Sequence, residues 1–349
     1  MRAIGYKTAG SLDRDDALVD IELPKPAPQG RDILVEIRAV SVNPVDYKQR
    51  QSAARSVGDG WKVLGYDAAG VVSAVGPEAE LFKPGAEVFY AGAINRPGTN
   101  AEFHLVDERI VGHKPKSLDW AESAALPLTA LTAWEGLFHR MDVTGRQVPG
   151  AARAIVIVGG AGGVGSIAIQ LARKLTDLTV VATASRPETR AWARQMGAHH
   201  VVDHSKPLAA EVAALGLGPP AFVFSTTRTN QHASEIAELI APQGRFGLID
   251  GLTEAGLFMR KSVSIHWELM FTRPIFTTAD ITEQGKILNE ISRLVDQGIV
   301  RTTMTERFSP IKAANLKQVH ARLESGTTIG KLVLEGFHPA ADRAARGRP

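Results

Sequence analysis

The chain has 349 residues, 44% hydrophobic and 22% charged, which is typical of a globular protein long enough for two domains. It contains no cysteine, so disulfides, cysteine nucleophiles and zinc sites with cysteine ligands are excluded, and a cytoplasmic location is expected. The formal charge of +3 is too dilute to favour a nucleic-acid partner, although it suits an anionic cofactor. The longest apolar runs are strand-length, so neither a membrane span nor a secretion signal is predicted.

Short strands dominate the first part of the chain. The opening segment MRAIGYKTAG predicts a strand, and ILVEIRAVSV, AGVVSAVG, AEVFYAG and AEFHLV follow, separated by proline and glycine. Residues 51–62, QSAARSVGDGWK, are polar and aperiodic and predict a loop. Residues 1–125 are therefore expected to form a β-rich domain.

Strands and helices alternate from about residue 126. Predicted strands 154–158 and 179–183 precede predicted helices 166–175 and 187–196, respectively. The alternation continues with the strand HHVVD, a helix over 206–215, the strand AFVFS, the helix QHASEIAELI, the strand RFGLID and a candidate last strand, KSVSIHWE. This rhythm predicts a doubly wound α/β domain with a parallel sheet over residues 126–273. The amphipathic ITEQGKILNEISRLVDQG and the strand-like GKLVLEGF follow, and we expect residues 274–349 to fold back onto the first domain.

A glycine-rich turn joins the first predicted strand of this domain to a helix. Gly160, Gly162 and Gly165 satisfy G-x-G-x-x-G in the context that gives the pattern meaning. The first glycine permits a tight turn, the second lets a pyrophosphate approach the backbone, and the third lets the helix pack on the strand. With Gly163 and Val164, this segment predicts a dinucleotide site at a helix N-terminus. The alternative is a glycine-rich turn that binds nothing.

The end of the next strand indicates which dinucleotide binds. In NAD-binding proteins an acidic residue about 20 residues after the turn holds the ribose 2′-hydroxyl. Here Ser185 and Arg186 stand at that strand end, and Arg190 lies one helical turn further. Because arginine forms charge-assisted hydrogen bonds with phosphate, we predict NADPH rather than NADH. The alternative is that Arg186 is a solvated residue at the start of a helix.

Several motifs resemble one enzyme superfamily. These are SVNPVDYKQR (41–50), LGYDAAGVVSAVG (64–76), ALPLTALTAWE (125–135), GGAGGVG and GKLVLEGF (330–337). They resemble the medium-chain dehydrogenase/reductase superfamily, specifically its zinc-free quinone oxidoreductase branch, and SVSIHWELMFTR and VVDHSKPL resemble its zinc-type alcohol dehydrogenase-like proteins. The resemblance implies an α/β fold with a GroES-like β-rich catalytic domain, a Rossmann domain and a homodimer.

The chain departs from the zinc-dependent branch of that superfamily. Asn43 stands where those enzymes carry a ligand cysteine, and Tyr66 stands where they carry a ligand histidine. Asp46 and Asp67 could offer only two ligands, whereas zinc needs three or four, so no metal is predicted. Reduction of a simple ketone develops an alkoxide that a metal normally stabilises, whereas a quinone or enone gives a delocalised oxyanion that hydrogen-bond donors can stabilise.

The resemblance places Asn43 beside the reacting centre, where its side chain could donate to the developing oxyanion. The alternative is that Asn43 caps the turn before Pro44. Tyr47 and Tyr66 could donate phenolic hydroxyls or be packed aromatic residues. Asp46 is expected to cap a helix; the alternative is that it orients a tyrosine or the substrate.

Further residues are assigned by the same resemblance. Thr129 and Lys331 correspond to residues that contact the cofactor, and His204 stands where many relatives carry a tyrosine near the adenosine phosphate. An ordinary helix threonine and a surface lysine are the competing interpretations. Trp267 and Phe271 could line the substrate pocket or a subunit interface.

These observations predict an NADPH-dependent, metal-independent reductase of quinones or α,β-unsaturated carbonyls. Two alternatives stay open: an enoyl-thioester reductase of the same superfamily, and a non-catalytic NADPH-binding sensor or RNA-associated protein. Steep salt dependence of polynucleotide binding would distinguish the RNA-associated alternative.

Overall fold

The structure is a computed structural model that describes residues 1–52 and 60–337. The described residues form two compact units: residues 1–52, 60–128 and 271–337, and residues 129–270. The domain boundaries predicted from the sequence lie a few residues from these. Most of the loop predicted over 51–62, and the C-terminal tail from residue 338, lie outside the described residues.

The strands, in chain order, are β1 Arg2–Tyr6, β2 Val19–Glu22, β3 Asp32–Ser41, β4 Lys62–Val63, β5 Asp67–Val75, β6 Glu87–Tyr90, β7 Phe103–Asp107, β8 Val111–His113, β9 Ala152–Val158, β10 Thr179–Thr183, β11 His200–Val202, β12 Pro220–Ser225, β13 Arg245–Leu248, β14 Ser264–Trp267, β15 Met304–Phe308 and β16 Lys331–Glu335. The α-helices are α1 Pro44–Gln51, α2 Trp120–Ala124, α3 Pro127–Trp134, α4 Gly163–Leu175, α5 Pro187–Gln195, α6 Leu208–Ala213, α7 Thr229–Leu239, α8 Thr272–Phe276, α9 Glu283–Asp296 and α10 Ala313–Glu324. No helix of the described chain combines the length and the apolar composition needed to cross a membrane.

The first unit is β-rich and contains two sheets. The smaller has the order β2-β1-β4, and the larger has the order β15-β16-β3-β5-β6-β8, with β7 also paired to β3. The C-terminal strand β16 pairs antiparallel with β3, with Val333 opposite Ser41 and Leu334 opposite Val40. Strands β15 and β16 thus complete the sheet that the N-terminal strands begin.

The second unit is a six-stranded sheet with the order β11-β10-β9-β12-β13-β14, in which every neighbouring pair is parallel. In chain order this is 3-2-1-4-5-6, the Rossmann arrangement, so the predicted fold class is confirmed. The apolar run of β9 reflects its position, since an inner parallel strand covered on both faces needs no polar alternation. Phe246 and Phe258 stack in the core of this unit with ring centroids 4.9 Å apart. The strand order reverses between β9 and β12, where such sheets bind ligands at the carboxyl ends of the strands.

The glycine turn lies at this reversal point, between β9 and α4. Gly159 has φ +83°, a left-handed conformation that favours glycine. A Cβ atom on Gly165 would lie 2.2 Å from the Gly159 carbonyl oxygen, and one on Gly160 would lie 2.8 Å from the Ala182 Cβ atom. A Cβ atom on Gly162 would come no closer than 3.5 Å to that carbonyl oxygen. Close packing therefore requires glycine at 160 and 165 but not at 162.

Alanine substitutions in the turn test this difference. We expect Gly165→Ala to lower the free energy of unfolding by roughly 1–3 kcal/mol, because the added methyl group overpacks the start of α4 against the turn. Gly162→Ala, the matched control, has room for its methyl group at a φ of −74°, and should leave the free energy of unfolding unchanged or raise it by up to about 1 kcal/mol. Urea denaturation of both variants measures this. Equal stabilities would contradict the packing account.

Candidate functional site

A buried group of polar side chains lies in the first unit, and we call it the Lys331 cluster: Asn43, Asp67 and Lys331. Asn43 precedes α1, Asp67 begins β5 and Lys331 begins β16. These residues are 1%, 0% and 3% exposed, respectively. Burial of charged groups at such depth requires partners for each of them.

The hydrogen bonds of the Lys331 cluster supply those partners. The Lys331 ammonium nitrogen lies 3.0 Å from the Val42 carbonyl oxygen and 3.0 Å from Asp67 Oδ2, and it also donates to Asn43 Oδ1. Asn43 Nδ2 donates to Asp67 Oδ2 at 2.7 Å, and the other carboxylate oxygen of Asp67 accepts from the Leu128 N–H at 2.7 Å. One ammonium therefore ties the start of β16 to α1 and β5.

Asp46 fastens the start of α1 beside this cluster. Its carboxyl oxygens accept from the backbone N–H groups of Asn43, at 2.7 Å, and Gly65, at 3.0 Å. Burial raises the pKa of Asp46 to about 7, against the opposing effect of these hydrogen bonds and of Lys331. Asp46 was expected at the N-cap; the N-cap residue is Asn43, and Asp46 bonds back to it from the first turn.

The two tyrosines proposed as proton donors lie in the same unit. Tyr66 is buried and packs edge-on against Phe271, with ring centroids 5.1 Å apart. Tyr47 is a half-buried residue of α1. The packed-aromatic interpretation therefore describes the ring of Tyr66, while a catalytic role for either hydroxyl stays a prediction.

In the second unit, Thr183 connects the glycine turn to the end of β10. Its hydroxyl oxygen accepts from the Gly159 N–H at 3.1 Å and lies 2.9 Å from His204 Nδ1. The Thr183 carbonyl accepts from the Gly160 N–H at 3.1 Å. The predicted phosphate turn and the predicted adenosine-contact histidine are thus joined through a threonine that the sequence analysis did not single out.

The predicted phosphate-binding arginines have different surroundings. Arg186 caps α5, and its half-exposed guanidinium lies 3.3 Å from the Glu188 carboxylate. Arg190 donates to the carbonyls of Ala184, at 3.4 Å, and Val201, at 3.1 Å. Arg190 therefore stabilises the chain just after β10, and its predicted contact with phosphate would have to use its other N–H groups.

The structure adds Arg228 and His232 to this region. The rings of His204 and His232 lie with centroids 5.9 Å apart. Burial lowers the pKa of both histidines. Arg228, which precedes α7 with φ +49°, lowers both pKa values further, after the opposing effect of Asp203 on His204 and the lowering effect of His204 on His232. Arg228 precedes α7 and His232 lies in the first turn of α7, both after β12, whereas Arg186 precedes α5, after β10. Only the parallel order of the strands could have suggested that such connections meet at one edge.

Other assigned residues are placed as follows. Thr129 is buried in α3, and Trp267 is 54% exposed on the edge strand β14. Ser185 is half-buried and directly follows Ala184 at the end of β10. The roles assigned to Thr129, Ser185, Lys331 and the turn residues stay predictions.

Comparison with known proteins shows the family. Residues 29–116 match the model of the alcohol dehydrogenase GroES-like domain, and residues 163–283 match the model of the zinc-binding dehydrogenases. The zinc-type alcohol dehydrogenase-like protein SAS2087 of Staphylococcus aureus (strain MSSA476) is 38% identical over 96% of this chain and 99% of that protein. A 2-methylene-furan-3-one reductase of Solanum lycopersicum is 29% identical over 97% of this chain and 79% of that protein.

A solved structure agrees with these matches. The crystal structure of a candidate zinc-dependent alcohol dehydrogenase from Rhizobium etli CFN 42 superposes with a TM-score of 0.95 and 69% identity, over 97% of this chain and 99% of that one. The chain therefore belongs to the medium-chain dehydrogenase/reductase superfamily. It is an oxidoreductase with the pyridine-nucleotide-binding fold of that superfamily.

The residues of this chain do not fit the zinc that the family description implies. Zinc ligands are anionic or neutral donors that converge on one cation. At Asn43 and Asp67 the oxygens already converge on the Lys331 ammonium, and a zinc ion bound to them would face that positive charge. Among residues 1–52 and 60–337, no group of three or more histidine, cysteine, aspartate or glutamate side chains is placed to hold a metal.

The buried carboxyl of Asp46 predicts a pH-dependent stability. Its pKa is raised from 3.8 to about 7, so between these values the folded protein holds a proton that the unfolded chain releases. The free energy of unfolding contributed by Asp46 should therefore fall as the pH rises through this range, by a few kcal/mol at most.

Urea denaturation of the wild type and of Asp46→Asn between pH 5 and pH 8 measures this effect. We expect the stability of the wild type relative to the variant to decrease with rising pH. Asp15→Asn, at an exposed position, serves as the control. A relative stability that is flat or increases with pH would show that Asp46 is ionised throughout.

Proposed function

We propose that the chain is an NADPH-dependent, metal-independent reductase of quinones or α,β-unsaturated carbonyls that acts by direct hydride transfer. The observation that carries this proposal is the Lys331 ammonium, which lies 3.0 Å from Asp67 Oδ2 in the surroundings where zinc-dependent members of the superfamily bind their metal. With that region occupied by an ammonium, reactions that need a Lewis acid are disfavoured, and conjugated acceptors are favoured.

The chemistry of a conjugated acceptor suits the side chains present. Reduced nicotinamide, when bound, supplies a hydride to the β-carbon of an enone. The π electrons of the enone would then shift, so that a double bond joins the α-carbon to the carbonyl carbon and the carbonyl pair moves onto oxygen, and a proton from water or an acidic side chain would complete the reduction at the α-carbon. The negative charge is spread over an enolate, so neutral or cationic hydrogen-bond donors such as the Asn43 amide can stabilise it.

The basic end of β10 supports NADPH over NADH. Ser185 and Arg186 follow Ala184 just after β10, and Arg228 lies after β12 in the same unit. Burial lowers the pKa of the neighbouring His204 and His232, so the arginines supply the positive charge of this region. The Glu188 carboxylate contacts Arg186 from the helix at 3.3 Å, so a 2′-phosphate would compete with it for the guanidinium. A phosphate dianion with charge-assisted bonds is the stronger partner.

A relative supports the class of acceptor. The tomato protein is named for 2-methylene-furan-3-one, in which an exocyclic double bond is conjugated with a ketone. That relative covers 97% of this chain, and the residues that the structure describes hold no fitting zinc site, which together support a substrate of the same chemical class.

The proposal includes a cytoplasmic homodimer. Strand β14 is an edge of the parallel sheet, and Trp267 on it and Leu269 just after it are 54% and 52% exposed. Large exposed apolar side chains beside an unpaired strand edge support association with a second copy. The cysteine-free composition suits the cytoplasm.

Turnover assays test the function. Purified protein is mixed with NADPH or NADH and with a para-quinone or an enone, with and without a chelator, and oxidation is followed by the nicotinamide absorbance. The proposal expects turnover that prefers NADPH and that the chelator does not change. Chelator-sensitive oxidation of simple alcohols would contradict it, and tight NADPH binding without any turnover would favour the non-catalytic sensor.

Cofactor choice can be tested at Arg186. Replacing Arg186 with leucine should raise the KM for NADPH about tenfold or more and leave the KM for NADH within about twofold, because a charge-assisted bond to phosphate contributes roughly 1.5–3 kcal/mol. Arg194→Leu, an exposed arginine at the other end of α5, is the matched control and should change neither value. Equal increases for both cofactors would contradict a 2′-phosphate contact.

A further inference from the structure

We propose that Lys331 is a positioning residue: its ammonium is the fixed cation of the site and sets the orientation of the Asn43 amide. This inference rests on the proposed reductase function. It also differs from the role that the sequence indicated, in which Lys331 would contact the cofactor.

The two ends of the Asn43 amide face opposite kinds of partner. Lysine has only donors and a carboxylate has only acceptors, so the two partners of the amide demand opposite ends of it. The Asn43 oxygen faces the Lys331 ammonium, and the Asn43 nitrogen lies 2.7 Å from Asp67 Oδ2. A flipped amide would place N–H against ammonium and oxygen against carboxylate, which makes both contacts repulsive.

The ammonium and the carboxylate are themselves fixed. Lys331 Nζ also donates to the Val42 carbonyl at 3.0 Å, and Asp67 Oδ1 accepts from the Leu128 N–H at 2.7 Å. Both side chains are at most 3% exposed, so water does not compete for these bonds. Backbone groups on two sides therefore hold the ion pair, and the ion pair holds the amide.

The consequence for the reaction is a donor of fixed direction. The amide nitrogen of Asn43 has two hydrogens, and the bond to Asp67 uses one of them. Under the proposed function, the second hydrogen would donate to a developing enolate oxygen, and the nearby ammonium would add positive charge in a region of low dielectric constant. Donors that need no reorientation during the reaction are the most effective stabilisers of such charge.

The first test uses Lys331→Met, which keeps the length of the side chain and removes the charge. We expect kcat for enone reduction to fall at least tenfold while the KM for NADPH stays within twofold. Lys114→Met is the matched control, since Lys114 is another buried lysine of the first unit whose ammonium donates to the carbonyls of Pro115 and Leu118, and it should change kcat by less than twofold. A raised KM for NADPH with unchanged kcat would overturn the proposal in favour of a cofactor contact.

A second variant keeps the test decisive if Lys331→Met does not fold. Lys331→Met leaves the Asp67 carboxylate without its cation, whereas Lys331→Met combined with Asp67→Asn removes both charges together. Thermal denaturation establishes which of the two variants is folded. In either one, kcat within twofold of the wild type would overturn the proposal.

A readout independent of turnover is the side-chain amide signal of Asn43 in protein labelled with ¹⁵N-asparagine, assigned by its loss in Asn43→Ser. The signal should shift in the Lys331 variants and not in Lys114→Met. An unmoved signal in a folded Lys331 variant would overturn the positioning role. If the wild type reduces no acceptor, the proposed function fails, and the signal still decides whether Lys331 orients the amide.

Discussion

The buried ion pair between Lys331 and Asp67 is the constraint on which the first unit depends. Its atoms lie 3.0 Å apart, and neither residue is more than 3% exposed. Removing two charges from water is costly, and such a pair persists only where further hydrogen bonds satisfy both groups. Here the Val42 carbonyl, the Asn43 amide and the Leu128 N–H do so, which joins the starts of β16, α1, β5 and α3 at one point.

Each unit contributes a different kind of electrostatics. The second unit offers neutral backbone N–H groups at the start of α4, next to a turn whose glycines exclude side chains, and the positive charges of Arg186 and Arg228. These groups suit an anionic ligand. The first unit offers one buried cation and one oriented amide, which suit a small charge that develops during a reaction. The second unit thus suits the permanent charge of a bound anion, and the first unit suits the transient charge of a reacting group.

The sequence predicts the second unit well because its signals are local. Strand β10 begins and ends at the predicted residues, and the glycine pattern lies between a strand and a helix as expected. The Lys331 cluster could not be predicted in this way. Lys331 and Asn43 are 288 residues apart, and no local pattern links the first residue of β16 to the residue before α1. Only the antiparallel pairing of β16 with β3 brings them together.

The sequence did not indicate Thr183, Arg228 or His232 for the same reason. Thr183 was within a correctly predicted strand, but its contacts with Gly159 and His204 depend on the order of the parallel strands. Arg228 and His232 lie after β12. Strand β12 neighbours β9 in the sheet, although it follows β11 in the chain. Conversely, the sequence predicts a phosphate contact for Arg190, whereas two of its donors bond to backbone carbonyls, and these bonds cannot be inferred from the sequence.

Isotope transfer tests the central claim, direct hydride transfer to a conjugated acceptor, most directly. NADPH carrying deuterium at C4 of the nicotinamide, in separate samples for its two faces, is mixed with the protein and an enone, and the product is analysed by mass spectrometry and NMR. The account predicts one deuterium at the β-carbon of the product from one of the two labelled cofactors. A reduced product without deuterium from either cofactor would contradict direct transfer.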